Sequence, residues 1–373
     1  MSATSLHGRY NWTLVTPPVA LALLAATWAN HEHWAVLVAI AVALVGAVLA
    51  AVHHAEVVAH KVGEPYGSLI LAVAVTVIEV GLIVMLMTSG GAGASTYARD
   101  TVFAALMITL NGIVGLSLLV GALRHHLVSF NASGTGAALA TVITLAGVSL
   151  VLPGFTTSGE GLEFSASQLA FAAIASLVLY GAFVFTQTVR HRDFFVPVSS
   201  DEFGLFTGLL DADDDQHADL PTNRATMTSL GLLLASLVSV VGLAKLLSPT
   251  IEEGVSSLGL PYTVVGVVIA LLVLSPESIA AVRNASRDRV QISLNLGYGS
   301  AMASIGLTIP TIAIAMIWLD GPLELGLMPM QLVLLAITVV VSVLTVVQGR
   351  AKTLQGVVHL VLLAAFIFLS MNP

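Results

Sequence analysis

Apolar stretches of roughly 18 or more residues recur about eleven times along the chain, and this recurrence leaves one kind of fold open. They centre near residues 21, 43, 76, 111, 144, 177, 236, 269, 304, 338 and 362. A run of that length is what an α-helix needs to cross a hydrocarbon layer of about 30 Å, and in lipid a helix satisfies its own backbone hydrogen bonds. Hydrophobic residues make up 57% of the chain and charged residues 9%, with a mean hydropathy of +0.97; a soluble domain carries about 25% charge. The expected fold class is therefore all-α and polytopic, with about eleven transmembrane helices. The count carries a margin of one, because the run from Val290 to Leu319 is long for a single span and contains Pro310. There are no cysteines, which excludes a disulfide framework and thiolate metal sites. The first run, Trp12 to Trp28, has little basic charge before it beyond Arg9 and leads into Asn30-His31-Glu32-His33 without a convincing cleavage site. It reads as a retained helix rather than a signal peptide.

Orientation follows from the basic residues. With the N-terminus in the cytoplasm, Arg9, Lys61, Arg124, Arg190, Arg192, Arg224, Arg283, Arg287, Arg289, Arg350 and Lys352 fall at or near the inner face. Only Arg99 and Lys245 then lie outside, a strong positive-inside bias. Eleven spans put the C-terminus outside. The longest polar interruption contains DADDDQHAD and divides the chain. The expected parts are an extra helix in residues 1–31, a five-helix unit in 32–189, a cytoplasmic acidic loop in 190–224 and a second five-helix unit in 225–373. An odd number of helices per unit makes the second enter the membrane from the opposite side, so a 5+5 inverted repeat is expected.

Two carboxylates carry the chemistry. Glu79 lies in AVAVTVIEVGLI and Glu277 in LLVLSPESIAAV, each in the second helix of its unit. Each is followed by a helix rich in small, amide and hydroxyl residues, ALMITLNGIVGLS and SLNLGYGSAMASIGLTIP, which lets helices approach closely and supplies oxygens from Asn111, Asn295, Ser300 and Ser304. Thr76 and Ser275 stand beside the two glutamates. Pro276 cannot donate to the carbonyl of Leu272, which leaves that oxygen available to a cavity. A carboxylate at mid-membrane costs at least about 2.5–3.5 kcal/mol on insertion scales, and neither half has a lysine or arginine at that depth. A proton or a cation must therefore compensate each one. Brought together across a pseudo-two-fold axis, the pair would neutralise one divalent ion, and Ca²⁺ takes about six to eight oxygen ligands. With the ion gone, both carboxylates should take up protons. Competition of cation and proton for one pair of residues is the minimal machinery of an antiporter.

GEPYGSLILAVAVTVIEVGLI and SPESIAAVRNASRDRVQISLNLGYGSAMASIGLTIP resemble the two α-repeats of bacterial calcium/sodium–proton antiporters, in the cation/proton exchanger branch of the Ca²⁺:cation antiporter superfamily. The resemblance extends to the extra first helix and the acidic loop. It implies a bacterial cytoplasmic membrane protein that exchanges cytoplasmic Ca²⁺ for H⁺ by alternating access, with Glu79 and Glu277 as the cation- and proton-binding residues. The family's Gly-Ser serine falls on Ser300 and its first-repeat asparagine on Asn111. The departures point the other way. Many relatives carry Gly-Asn-Ala before each acidic residue, where this chain has Val75-Thr76-Val77-Ile78 and Leu274-Ser275-Pro276, and a common glutamine is Ala303 here. A thinner oxygen shell makes Na⁺(K⁺)/H⁺ exchange the alternative expectation. The expected surroundings are lipid, inorganic cations and protons, with no resident cofactor and no nucleic-acid partner; a homo-oligomer is left open.

Other features have plainer readings. Glu64 opens GEPYG, where Pro65 and an acid are ordinary helix-start signals. His53, His54, His60, His125, His126 and His191 gather near the inner surface, where solvation is the plain reading and pH sensing the second. They lack the repeated ligand pattern of a membrane-embedded metalloenzyme, which is the remote alternative. Asp211, Asp213 and Asp215 fit the first positions of an EF-hand loop, yet its sixth position is Gln216 instead of Gly and its twelfth Thr222 instead of Glu, so a solvated or cation-attracting loop is expected. Converting Asp211, Asp213, Asp214, Asp215 and Asp219 to asparagine should leave maximal exchange largely intact. The same change should raise the half-saturating cation concentration most at low salt, since screening acts over a Debye length of about 8 Å at physiological ionic strength. Flux in vesicles at two salt concentrations checks this; loss of maximal rate at unchanged half-saturation would make the loop a gate instead.

Overall fold

A computed structural model describes residues 11–29, 33–63, 66–88, 93–159, 161–195, 221–319 and 321–373. Glu64 and the acidic run Asp211, Asp213, Asp214, Asp215 and Asp219 lie outside the described residues. The helices, in order, are α1 (Asn11–Thr27), α2 (Trp34–Val62), α3 (Tyr66–Thr88), α4 (Tyr97–His125), α5 (Ala132–Phe155) and α6 (Ala166–Arg190). After them come α7 (Asn223–Ser257), α8 (Thr263–Ala285), α9 (Val290–Ala315), α10 (Pro329–Val347) and α11 (Thr353–Met371). Among the described residues ten are long and apolar enough to cross a membrane, and α1 is a shorter apolar helix of 17 residues. The all-α, eleven-helix expectation holds. The only pairing of strands among the described residues is a two-residue one, Val128–Ser129 with Arg350–Ala351. The run that was long for one span is one interrupted helix, broken at Leu307.

Because successive helices cross in opposite senses, the ends of α2, α4, α6, α8 and α10 lie at one face with the starts of α3, α5, α7, α9 and α11. That face gathers Lys61, Arg124, Arg190, Arg283, Arg289 and Arg350. At the opposite face Arg99 is buried: its Nε donates to Asp100 Oδ1 at 2.9 Å and a second nitrogen lies 3.6 Å from Glu324. Gln331 also donates to Asp100 Oδ1, at 3.2 Å, and Ser95 donates to Glu324 at 3.1 Å. A charge removed from water needs this kind of pairing, and here it ties the start of α4 to the α9–α10 connection and α10.

Two apolar cores organise the bundle. One joins α1, α2, α3, α7 and a face of α8 through residues such as Ile40, Ala47, Ile78, Val240, Leu243 and Ile269; the other centres on α4 and the later helices, with Ile83 of α3. The first helix is less of an appendage than its place in the sequence suggests. Thr16 and Leu24 pack against Gly46 of α2 and Gly242 of α7, the small-residue contact that brings membrane helices close. His54 Nε2 adds a 3.0 Å hydrogen bond with the Thr13 carbonyl. Large apolar side chains such as Val42, Ile174, Val178, Leu344 and Phe368 point outward, where lipid accepts them.

Helix α4 is enclosed almost all round and crosses α8 at Gly266, where an added Cβ would sit 2.8 Å from the Asp100 backbone. Backbone cannot yield there, so Gly266→Ala should lower stability by about 1–3 kcal/mol despite the better helix propensity of alanine. Gly181 faces open space, and Gly181→Ala should be neutral or stabilising by about 0.4–1 kcal/mol. Thermal melting of the two variants in detergent tests this opposite pair of signs; a Gly266→Ala protein as stable as Gly181→Ala would refute the close crossing.

Candidate cation site

Glu79 and Glu277 are both buried, at the middle of α3 and α8. They face a single cavity of 340 Å³. The stripe of α3 that lines it, Leu71, Val75 and Glu79, repeats every four residues, with Thr76 beside it; α9 lines it with Ile292, Asn295, Gly299, Ser300, Ala303 and Ser304. Both spacings are those of one helix face. The half of α6 nearest Arg190 supplies Tyr180, Phe183, Val184 and Gln187, and α8 supplies Leu274 and Glu277. All these half-helices end at the basic face, so the cavity leads from the two glutamates toward that face.

Ser304 Oγ donates to Glu79 Oε1 at 2.5 Å. Thr308, buried beyond Ser304 on α9, is not among the residues that line the cavity. Both carboxylates open on this one cavity, and Glu277 Oε2 has no hydrogen-bond partner among the described residues. Carboxylate oxygens, hydroxyls and a cavity with room for several waters, in an apolar surround, form a donor set for a hard cation. With no cation bound, protonation removes the charge.

Glu79, Glu277, Thr76, Ser300, Ser304 and Asn295 thus share one cavity. Asn295 stands toward its mouth, donating to the Phe195 carbonyl at 2.6 Å and accepting from Gln291 at 2.8 Å. Asn111 is elsewhere. It lies on a π-helical turn of α4, Ile108–Ile113, and donates to Thr338 Oγ1 at 3.0 Å. Its Oδ1 can only accept, so His359 Nδ1 donates to it at 3.2 Å, and His359 Nε2 lies 3.2 Å from Thr345 Oγ1, whose own hydrogen goes to the Val341 carbonyl at 2.9 Å. The wide turn rotates the amide toward α10 and α11 instead of the cavity. The Leu272 carbonyl that Pro276 releases is taken by Ser275, whose Oγ donates to it at 2.9 Å; neither residue lines the cavity.

Three positions escaped the sequence reading. Tyr180 and Gln187 look like ordinary residues of an apolar helix, and only the tertiary packing brings them to the cavity. Glu56 is a third carboxylate inside a span, in α2, within electrostatic reach of Glu277 and Arg283. Its place a turn or more before His60 and Lys61 in the sequence was the available signal.

A bundle that brings two membrane-buried carboxylates to one cavity leading to a single face is suited to passing a charged solute across in steps, which is the work of a secondary transporter. The sodium/calcium exchanger protein family matches residues 32–189 and 228–372, and the chain belongs to that family. It is 44% identical over 369 residues to the y4hA protein of Sinorhizobium fredii, covering 97% of this chain and 96% of that one. It is 33% identical over 359 residues to the sodium-potassium/proton antiporter ChaA of Escherichia coli, covering 95% and 94%. The solved structure of native YfkE superposes with a TM-score of 0.72 at 16% identity, covering 97% of this chain and all of that one, a likeness of fold. The protein is a cation antiporter of the membrane and not an enzyme, which removes the metalloenzyme alternative.

The hydrogen bonds of Asn111 tie α4 to α10 and α11, outside the cavity. Asn111→Ala should destabilise by about 1–3 kcal/mol, because His359 and Thr338 lose their buried partner. It should leave the half-saturating cation concentration within about twofold, a shift of under 0.5 kcal/mol. Melting in detergent and flux in vesicles separate the two; a large loss of cation affinity at unchanged melting temperature would return Asn111 to the site.

Proposed function

We propose that the protein exchanges Na⁺ or K⁺ for protons at Glu79 and Glu277, across the bacterial cytoplasmic membrane with its basic face inward. The observation that carries this is the pairing of two buried carboxylates with hydroxyls, Ser304 above all, in one cavity. Asn111, the amide expected to enrich the shell, is engaged by Thr338 and His359. Support also comes from the full-length similarity to a sodium-potassium/proton antiporter. The cavity leading toward the basic face is then the inward access, and cytoplasmic cation reaches the glutamates through it as protons leave. Return of protons requires the same residues to face the other side, as alternating access demands.

Exchange of Ca²⁺ is the second reading, favoured by the double negative charge of the pair. One divalent ion would balance both carboxylates, with water completing the six to eight oxygens it takes. Oligomeric state has no bearing on either reading, since both glutamates come from one chain.

Purified protein in vesicles with a pH-sensitive dye inside, given Na⁺, K⁺ and Ca²⁺ separately, should show proton flux with the monovalent ions. Glu79→Gln and Glu277→Gln, which keep shape and remove the titratable oxygen, should each abolish it. Flux near the wild-type rate in either variant would sink the two-carboxylate site, and flux with Ca²⁺ alone would replace the first reading by the second.

A further inference from the structure

The mouth of the cavity carries a tie that the cation site does not use. After α6, residues Arg192–Phe195 form one turn of 3₁₀ helix at the basic face. This short strap lies against the start of α5, where a Cβ added to Gly134 would run into the Phe194 carbonyl. Its last side chain turns inward. Phe195 is 7% exposed and meets Phe183 edge to face, with ring centroids 5.7 Å apart and planes at 88°. Phe183 of α6 and Asn295 of α9 both line the cavity.

The Phe195 carbonyl accepts from Asn295 Nδ2 at 2.6 Å. That bond closes a chain whose direction is fixed at both ends. A carbonyl can only accept, so the Asn295 amide must turn its nitrogen to Phe195. At the other end the Asn131 N–H can only donate, and it does so to Gln291 Oε1 at 2.6 Å. The Gln291 nitrogen is left to donate to Asn295 Oδ1 at 2.8 Å, with Thr135 Oγ1 a second acceptor at 3.3 Å. Gln291 and Asn295 stand four residues apart on α9, which lets the two amides meet. Both amide oxygens are thus engaged by N–H donors. Asn295 borders the cavity, but its amide joins the strap to α9 and, through Gln291, to α5.

We infer that the strap Arg192–Phe195 gates the basic-face mouth of the cavity and that Asn295 is the positioning residue that latches it, an inference that rests on the cavity being the inward access proposed above. Docked, the strap holds the Phe195 ring on Phe183 and fixes the end of α6 to α9. A shift of about 1 Å between α9 and the strap carries the Asn295–Phe195 bond beyond hydrogen-bonding reach. The ring then leaves Phe183, and the way to the glutamates widens. One amide bond and one aromatic pair are of ordinary strength. They hold a mouth closed and still yield during alternating access.

The chain has no cysteine, so Ser300→Cys places a single thiol in the cavity, between Asn295 and Ser304 on α9. Its rate of reaction with a positively charged methanethiosulfonate in detergent reads access through the mouth and needs no transport. Asn295→Leu removes the latch, and Phe195→Ala removes the ring while leaving every cavity-lining side chain in place. Each should speed labelling about tenfold, as for one lost hydrogen bond. The double variant should label no faster than the faster single one, because both act through the same docked strap. In vesicles both should lower the maximal exchange rate, since the site no longer closes on the basic side, with the half-saturating cation concentration within about twofold of wild type. A raised half-saturation in Asn295→Leu at the wild-type labelling rate would make Asn295 a cation ligand and overturn the latch. Labelling at the wild-type rate in Phe195→Ala would overturn the gate, and this variant decides alone should Asn295→Leu fail to fold. A thiol that reacts in none of the proteins would overturn the gate by defeating the inward access itself, which the other two results leave intact.

Discussion

A carboxylate cannot rest in hydrocarbon without compensation, and the rest of this bundle is arranged around two of them. The insertion cost of at least about 2.5–3.5 kcal/mol each falls on Glu79 and Glu277, which are enclosed among helices and share one cavity. Enclosure requires close helix approach, hence the small residues. Gly266 brings α8 against α4, and Gly306 lets α9 lie against Tyr180. Ionising both glutamates of one enclosed cavity with no cation bound would leave two uncompensated charges in a low dielectric.

The helices that carry the supporting oxygens are the irregular ones. A π-helical turn such as Ile108–Ile113 adds a residue to one coil of α4 and rotates the rest of the helix about its axis. The matching helix α9 instead breaks at Leu307, before Pro310. Irregular backbone at membrane depth is tolerated where it is buried in protein or borders a cavity, and both interruptions meet that condition. They act differently on the site. The turn in α4 directs Asn111 away to Thr338 and His359, while Ser304, before the break in α9, stays at Glu79.

How much could be read from the sequence depends on which signals are local. Hydropathy is local, so the eleven helices were legible, including the anomaly at Pro310. A lone carboxylate in an apolar run is equally conspicuous, and it marked Glu79 and Glu277. Side-chain direction is another matter. Asn111 looked like a ligand because spacing along a regular helix says nothing of a π-helical turn. The Leu272 carbonyl looked free because proline removes its backbone donor, but Ser275, three residues on, offers its hydroxyl instead. Glu56 was overlooked because it lies close to the basic end of α2, where charged residues are ordinary.

The electrostatics of the pair also explain how exchange on the proposed site would be coupled. Between its two access states a transporter must pass through a closed one in which the site loses contact with bulk water. Two bare carboxylates in that state would face each other across a low dielectric, where their repulsion is far larger than in water. A bound cation or bound protons remove the charge, so only a loaded site can close. No separate lock is needed to prevent an empty carrier from returning, because the desolvation of Glu79 and Glu277 is itself the barrier. The polar ties at the far face, from Arg99 and Asp100 to Gln331 and Glu324, are consistent with a bundle whose access lies on the basic side, and passage outward would demand rearrangement of the helices those ties anchor.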